Sequence, residues 1–208
     1  SIGHLVHRNT CFFVGRNVYI EIMTSKKFKD QYAVLVQGAS RGIGLAFVQR
    51  YLADEKIKKV IASSRRPEES SLAKLIKQYP EKLEIHELDL ESQSSINDCA
   101  GEIINSNVSL DLILNVSGFL HGDSMQPEKR VSDLSFESLS KNFATNAFGP
   151  ILLTSKLLPL LKGSPHSVIA NLSAKVGSIE DNNTGGWYGY RSSKAAQNML
   201  TKNLAIEL

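Results

Sequence analysis

Along this chain, short apolar runs alternate with longer stretches in which apolar residues recur every three or four positions. Tyr32–Val36 is an apolar run closed by Gly38 and reads as a buried strand. Lys59–Ala62, Leu83–Leu88, Leu110–Leu114 and Ser167–Leu172 read as four further strands. Between them, helical spacing covers Ile43–Leu52, Glu68–Tyr79 (stopped by Pro80), Gln93–Ile104 and a long segment Phe136–Leu161. That last segment passes Gly149-Pro150, where a kink is expected. Tyr188–Leu208 is helical again. His121–Asp133 is polar with Pro127, and Ser178–Gly186 is rich in Gly, Asn and Asp; both read as loops. Strands alternating with helices of this length predict a parallel sheet covered on both faces: a doubly wound, Rossmann-type α/β fold in a single domain.

Composition narrows the picture without redirecting it. The 208 residues carry 24 Lys+Arg against 21 Asp+Glu, a net charge of +3, too small and too dispersed for a dedicated nucleic-acid binder. No apolar run reaches about 18 residues, so no membrane span is expected. Cys11 and Cys99 match no metal motif and suggest no disulfide framework, which fits a reducing, cytoplasmic setting. The first 30 residues stand apart. Arg8, Arg16, Lys26, Lys27 and Lys29 face only Glu21 and Asp30. Residues 1–30 are therefore read as a basic extension, either an organellar (mitochondrial or plastid) targeting segment or a stretch alien to the fold. Residues 31–208 are read as the domain.

Chemistry enters after the first strand. Gly38-Ala39-Ser40-Arg41-Gly42-Ile43-Gly44 leads into a helix. Glycines let backbone approach a pyrophosphate, and a helix N-terminus supplies free N–H groups with a favourable dipole. The spacing differs from the commoner Gly-x-Gly-x-x-Gly fingerprint, so its place after strand one carries the reading. Strand two ends in Ser63-Ser64-Arg65-Arg66, without the carboxylate that usually holds the adenosine ribose of NAD. Arg65, with Arg41, suits a 2′-phosphate, so NADP(H) is favoured over NAD(H). The competing reading is a solvated arginine turn.

The second centre is Tyr190-Arg191-Ser192-Ser193-Lys194, at the start of the last helix. Residues four apart share a helix face, and an ammonium beside a phenol is expected to lower the Tyr pKa. Such a Tyr exchanges a proton with a carbonyl or alcohol oxygen while hydride moves at the adjacent carbon.

Taken together these motifs resemble the short-chain dehydrogenase/reductase family, over Gln31–Leu208. Asp89-Leu90 after strand three, Asn115-Val116-Ser117-Gly118 after strand four and Asn146 in the long helix add to the likeness. The stretch Leu172–Ile179, with Gly185-Gly186-Trp187-Tyr188, is similar to the C-factor and sniffer-like carbonyl reductases. The resemblance implies an NADP(H)-dependent oxidoreductase acting on a small carbonyl substrate and assembled as a homodimer or homotetramer through the long helix and the Tyr-bearing helix. It implies that Gly38, Ser40, Arg41, Ile43, Gly44, Ser64 and Arg65 cradle the cofactor. Asp89 would bond the adenine amino group beside Leu90. Asn115 would stabilise the sheet and shape the adenosine-ribose site with Ser117 and Gly118. Asn146 would hold a relay water, and Lys194 would bind the nicotinamide ribose and tune Tyr190.

Two departures qualify the expectation. Counting back from Gly177 puts Ala174 where the family carries its catalytic Ser, leaving Ser173, one residue earlier, as the candidate hydroxyl. The chain also ends at Leu208 inside the Tyr190 helix, whereas the family continues with further strands and a substrate-covering segment. A C-terminally truncated domain with an open sheet edge is therefore expected. The alternative function is a catalytically impaired NADP(H)-binding or partner-binding protein.

Overall fold

A computed structural model of the chain describes residues 10–11, 31–122, 125–161 and 167–208. The five expected strands are β1 (Tyr32–Gln37), β2 (Ile57–Ser64), β3 (Leu83–Glu87), β4 (Leu112–Asn115) and β5 (Val168–Asn171). Every pairing is parallel, and the order across the sheet is β3-β2-β1-β4-β5. The order reverses between β2 and β4, on either side of β1. This is the crevice where doubly wound sheets bind ligands, at the carboxyl ends of the strands. Every residue of β1 is buried, as a central parallel strand covered on both faces requires.

Alternation along the strands sends side chains into two cores. Val34, Val36 and Leu114 meet Val48, Tyr51 and Leu52 of α1 (Gly42–Leu52) and Leu72 of α2 (Leu72–Gln78). Leu35, Ile61 and Ile113 meet Ile96 and Cys99 of α3 (Gln93–Asn105) and Leu153 and Leu157 of α5 (Gly149–Leu161). Cys99 is a free thiol, and burial pushes it up to about 12, so it packs as a small hydrophobe.

Several boundaries differ from the expectation for identifiable reasons. α2 starts four residues late because Ser70 bonds the Pro67 carbonyl through both its Oγ (2.7 Å) and its N–H (3.1 Å), a local turn that competes with helix. β4 starts after Asp111, whose carboxylate accepts from the Ala33 N–H at 2.9 Å in place of a ladder partner. The long helix is three pieces: α4 (Phe136–Phe143), a π turn (Ala144–Phe148) and α5. Pro150 has no N–H for the residue four positions back, and the Gly149 N–H bonds Ala144, five back. The irregularity is thus a π turn centred on Asn146 rather than a simple kink at Gly149-Pro150. The last helix, α6, runs Tyr188–Glu207.

The outer edge of β5 is not bare. Thr10–Cys11 pairs with it in parallel, Thr10 opposite Ile169 and Cys11 opposite Ala170, making a six-stranded sheet. Two residues of the supposed extension therefore lie along part of the sheet edge expected to be open, at Ile169 and Ala170, and become the terminal strand themselves. The rest of that extension, with its targeting reading, lies outside the described residues. Among the described residues no helix is long and apolar enough to cross a membrane, and no cluster of His, Cys, Asp or Glu has the arrangement of a metal site.

Candidate active site

At the carboxyl ends of β1, β2 and β4 lies a groove of about 310 Å³. Its floor is the glycine loop. Gly38 has φ +87°, and a Cβ there would stand 2.5 Å from Ser117 Oγ. At Gly44 a Cβ would overlap the Gly38 carbonyl oxygen. Both positions require glycine for space, and Gly38 also for its left-handed backbone. No side chain caps the N-terminus of α1, and its first turn holds no acidic residue. Its leading N–H groups are thus left for an anion in the groove.

Ser40, Arg41, Ile43, Ser64, Arg65, Asp89 and Leu90 line the same groove, as do Ser117 and Gly118. Arg41 and Arg65 are exposed and, among the described residues, in no ion pair; the neighbouring Arg66 sits 3.4 Å from Glu69. The Ser64 hydroxyl, on a residue that lines the groove, is buried without a hydrogen-bond partner among the described residues, an unmet requirement. Asp89 is not the cap of α3. Ser92 takes that role through the Ser95 N–H at 3.3 Å, leaving the Asp89 carboxylate at the groove, where it accepts from the Glu91 N–H at 3.0 Å.

Asn115 is placed differently from the other candidates. It is fully buried and absent from the groove lining. Its Nδ2 donates to Asn171 Oδ1 at 2.7 Å and to Thr154 Oγ1 at 3.1 Å, tying β4 to β5 and α5. Its contact is with the sheet, and it reaches the groove only through the loop that follows.

Beyond Gly118 the groove meets the polar centre of α6. Asn146, fully buried in the π turn, accepts from the Phe119 N–H at 2.6 Å. It donates to the Phe119 carbonyl and to Ser193 Oγ, both at 2.9 Å. The side chain clamps the loop after β4 onto the helix that carries Tyr190. A Cβ on Gly118 would lie 3.7 Å from both Asn146 Oδ1 and Lys194 Nζ, which puts the ammonium at the groove's rim.

Lys194 is 2% exposed; its Nζ donates to the Leu172 carbonyl and to Gln197 Oε1, each at 2.9 Å, and lies 5.9 Å from the Tyr190 ring centre. Burial pulls its pKa down to about 8. Burial also raises the Tyr190 phenol, so the lowered Tyr pKa expected from the sequence is not what this arrangement produces. Desolvation disfavours the charged form of both partners, and the ammonium is turned toward neutral oxygens rather than the phenol.

Ser173 does not line the groove and is engaged on a later turn of α6. Its hydroxyl donates to Asn198 Oδ1 at 2.6 Å. Asn198 lies two helical turns beyond Tyr190, about 12 Å of axial rise. Ser173→Ala is accordingly expected to cost about 1 kcal/mol of stability. The reduction rate should change less than about threefold, and a loss near 100-fold would return this hydroxyl to the chemistry.

Three contributors were not picked out by sequence reasoning. Gln37, at the end of β1, donates to Ser117 Oγ at 2.5 Å and braces the glycine loop against the β4 loop. Glu128, inside the supposed surface loop, is buried; its carboxylate accepts from Ser138 Oγ at 2.6 Å and from the Gly189 N–H at 3.2 Å. It thereby anchors the first turn of α6. Gln197 sits on Lys194. Only Gln197 had a legible signal, one turn from Lys194 on the same face.

A glycine-floored groove at the switch point of a doubly wound sheet, with a buried Lys against its Gly118 wall, is the arrangement of a nucleotide-binding α/β protein. Residues 32–208 match the family described as short chain dehydrogenase, and the chain belongs to it. It is similar to the NADPH-bound carbonyl reductase from chicken fatty liver (TM-score 0.74, 32% identity, covering 84% of this chain and 73% of that one). The carbonyl reductase Sniffer of D. melanogaster gives a TM-score of 0.75 at 27% identity, covering 86% of this chain and 75% of that one. The benzil reductase of Bacillus cereus is 31% identical over 179 residues, 84% of this chain and 68% of its own length. For four other curated relatives the match covers less than two thirds of their own length: 66%, 66%, 50% and 47%.

Proposed function

We propose that this chain is the dinucleotide-binding and catalytic part of an NADP(H)-dependent reductase of ketone or aldehyde carbonyls. The observation that carries the reading is the groove. It combines an uncapped helix N-terminus for the pyrophosphate, two arginines for a 2′-phosphate that are in no ion pair among the described residues and a Ser64 hydroxyl without a partner among them, and its Gly118 wall borders Lys194, whose Nζ lies 5.9 Å from the Tyr190 ring centre. The chicken relative, which holds NADPH, supports the same choice of cofactor.

Bound NADPH supplies the hydride. The chain's own residues do the rest. Tyr190, kept protonated by burial, donates its proton to the substrate oxygen as charge develops there. The Lys194 ammonium, though bonded to neutral oxygens, is close enough at 5.9 Å from the Tyr190 ring for its charge to favour the phenolate left behind, and at the Gly118 wall it would hold the ribose hydroxyls of the cofactor. Asn146 holds that rim rigid through Phe119. Phe136 (88% exposed) on α4 and Met199 (62% exposed) on α6 offer apolar surface for pairing two copies along these helices.

The cofactor assignment is tested by quenching of Trp187 fluorescence, Trp187 lying edge-on to Tyr190 at 6.4 Å between ring centres. Arg65→Glu should weaken NADPH binding by about 10–100-fold, the worth of a charge-assisted phosphate contact, and leave NADH binding unchanged or improved. Equal weakening of both cofactors would place Arg65 outside the phosphate site.

One observation favours a second reading, a binding protein without turnover. Ala174 stands where the family's catalytic hydroxyl is expected, and the neighbouring Ser173 is held by Asn198.

A further inference from the structure

The surroundings of Lys194 are unusual for a buried cation. Among the described residues its two hydrogen-bond partners are neutral oxygens, the Leu172 carbonyl at the end of β5 and Gln197 Oε1 on α6. The other groups placed against it are the Tyr190 ring and the backbone at Gly118 and Gly177. Of these, only Tyr190 titrates, and none is a carboxylate.

Gln197 is itself 3% exposed, and its Nε2 has no partner among the described residues. The amide cannot be reversed to relieve this, because only its oxygen can face an ammonium. A buried unpaired amide nitrogen costs stability that an apolar side chain of the same size would avoid. Packing therefore does not explain a glutamine here; the bond from Oε1 to Lys194 does.

We infer that Gln197 is a positioning residue for Lys194: its side-chain oxygen, with the Leu172 carbonyl, holds the ammonium beside Tyr190 at the Gly118 rim of the groove. The inference rests on the reading of Tyr190 and Lys194 as the catalytic pair. A hydrogen bond accepted from the charged form favours that form, so Gln197 partly offsets the desolvation of Lys194. Removing the acceptor should make Lys194 give up its proton at lower pH, and a carboxylate in its place should make Lys194 keep the proton to higher pH.

The experiment follows the Lys194 ε-carbon by NMR in the full chain, across pH, with the resonance assigned by its absence in Lys194→Met. Wild type, Gln197→Met and Gln197→Glu are compared, alongside the pH profile of NADPH-dependent carbonyl reduction. The expected result is a titration midpoint lowered in Gln197→Met and raised in Gln197→Glu, each by about 0.5–1 pH unit, with the alkaline limb of the rate moving in step. One midpoint shared by all three proteins overturns the inference. Should the methionine variant fail to fold, the glutamate variant decides alone, since an unraised midpoint there has the same consequence. Midpoints that separate while wild type lacks Tyr190-dependent turnover leave the contact standing and remove the catalytic reading. Turnover that depends on Tyr190 with coincident midpoints removes only the role of Gln197.

Discussion

Replacing Tyr190 by Phe should lower NADPH-dependent carbonyl reduction by about 10²–10⁴-fold and leave the NADPH dissociation constant within about threefold. The phenol oxygen is the sole heavy atom lost, the ring keeps its edge contact with Trp187, and the groove proposed for the nucleotide is lined by other residues. Steady-state kinetics with generic aldehydes and ketones, beside fluorescence titration, separates the two quantities. NADPH binding with no Tyr190-dependent turnover in wild type would establish the binding-protein reading.

The wild-type rate should also fall as pH rises through about 8, where buried Lys194 loses its proton. The sign for stability is opposite. The folded pKa lies below the unfolded value of about 10.4, so the unfolded chain binds the extra proton between those limits. The cost of burying the ammonium is fully present below pH 8 and is relieved as pH rises toward the unfolded value. The Lys194 charge is therefore held at the expense of the fold in the neutral range.

Gly44→Ala should produce the second large effect: loss of NADPH binding by about 100-fold or more, with destabilisation of about 2–4 kcal/mol. The added methyl would meet backbone, overlapping the Gly38 carbonyl oxygen and standing 3.2 Å from Ala39 Cα, so no side-chain rotation relieves it. The loop must move, and with it the N–H groups that face the groove. Thermal melting with and without NADPH measures both parts. Gly101→Ala is the control. Gly101 lies within α3 with nothing within 4 Å of its would-be Cβ, and alanine there should stabilise by up to about 1 kcal/mol through helix propensity. If Gly44→Ala and Gly101→Ala behave alike, the steric account of the loop is wrong.

Much of this architecture was legible before any coordinates. Apolar runs such as Tyr32–Val36 and periodic stretches such as Ile43–Leu52 report burial on two faces or on one, and both recur within a residue or two of their expected ends. The glycine loop was readable because a sequence-local spacing encodes a backbone shape. Arg41, Arg65 and Asp89 were readable because they follow strands whose ends must converge at the switch point. Boundaries failed where side chains took over backbone bonds, as at Ser70 and Asp111, since such competition depends on which partner stands opposite. The Asn146 region was half legible: Pro150 announces a missing N–H, but whether the helix kinks or widens into a π turn is decided by its neighbours.

By itself, the sequence determined the fold class, the nucleotide groove and the four-residue spacing of Tyr190 and Lys194, because each follows from local periodicity or a short motif. The tertiary structure alone decided where polar groups point once buried. It turned Ser173 onto Asn198, Lys194 onto Leu172 and Gln197, and Asn115 into the sheet, and it buried Glu128 against the first turn of α6. It also placed Thr10–Cys11 on the edge of β5. The physical reason is common to these cases. A buried donor or acceptor must find a partner within about 3 Å, and that partner generally comes from a distant part of the chain.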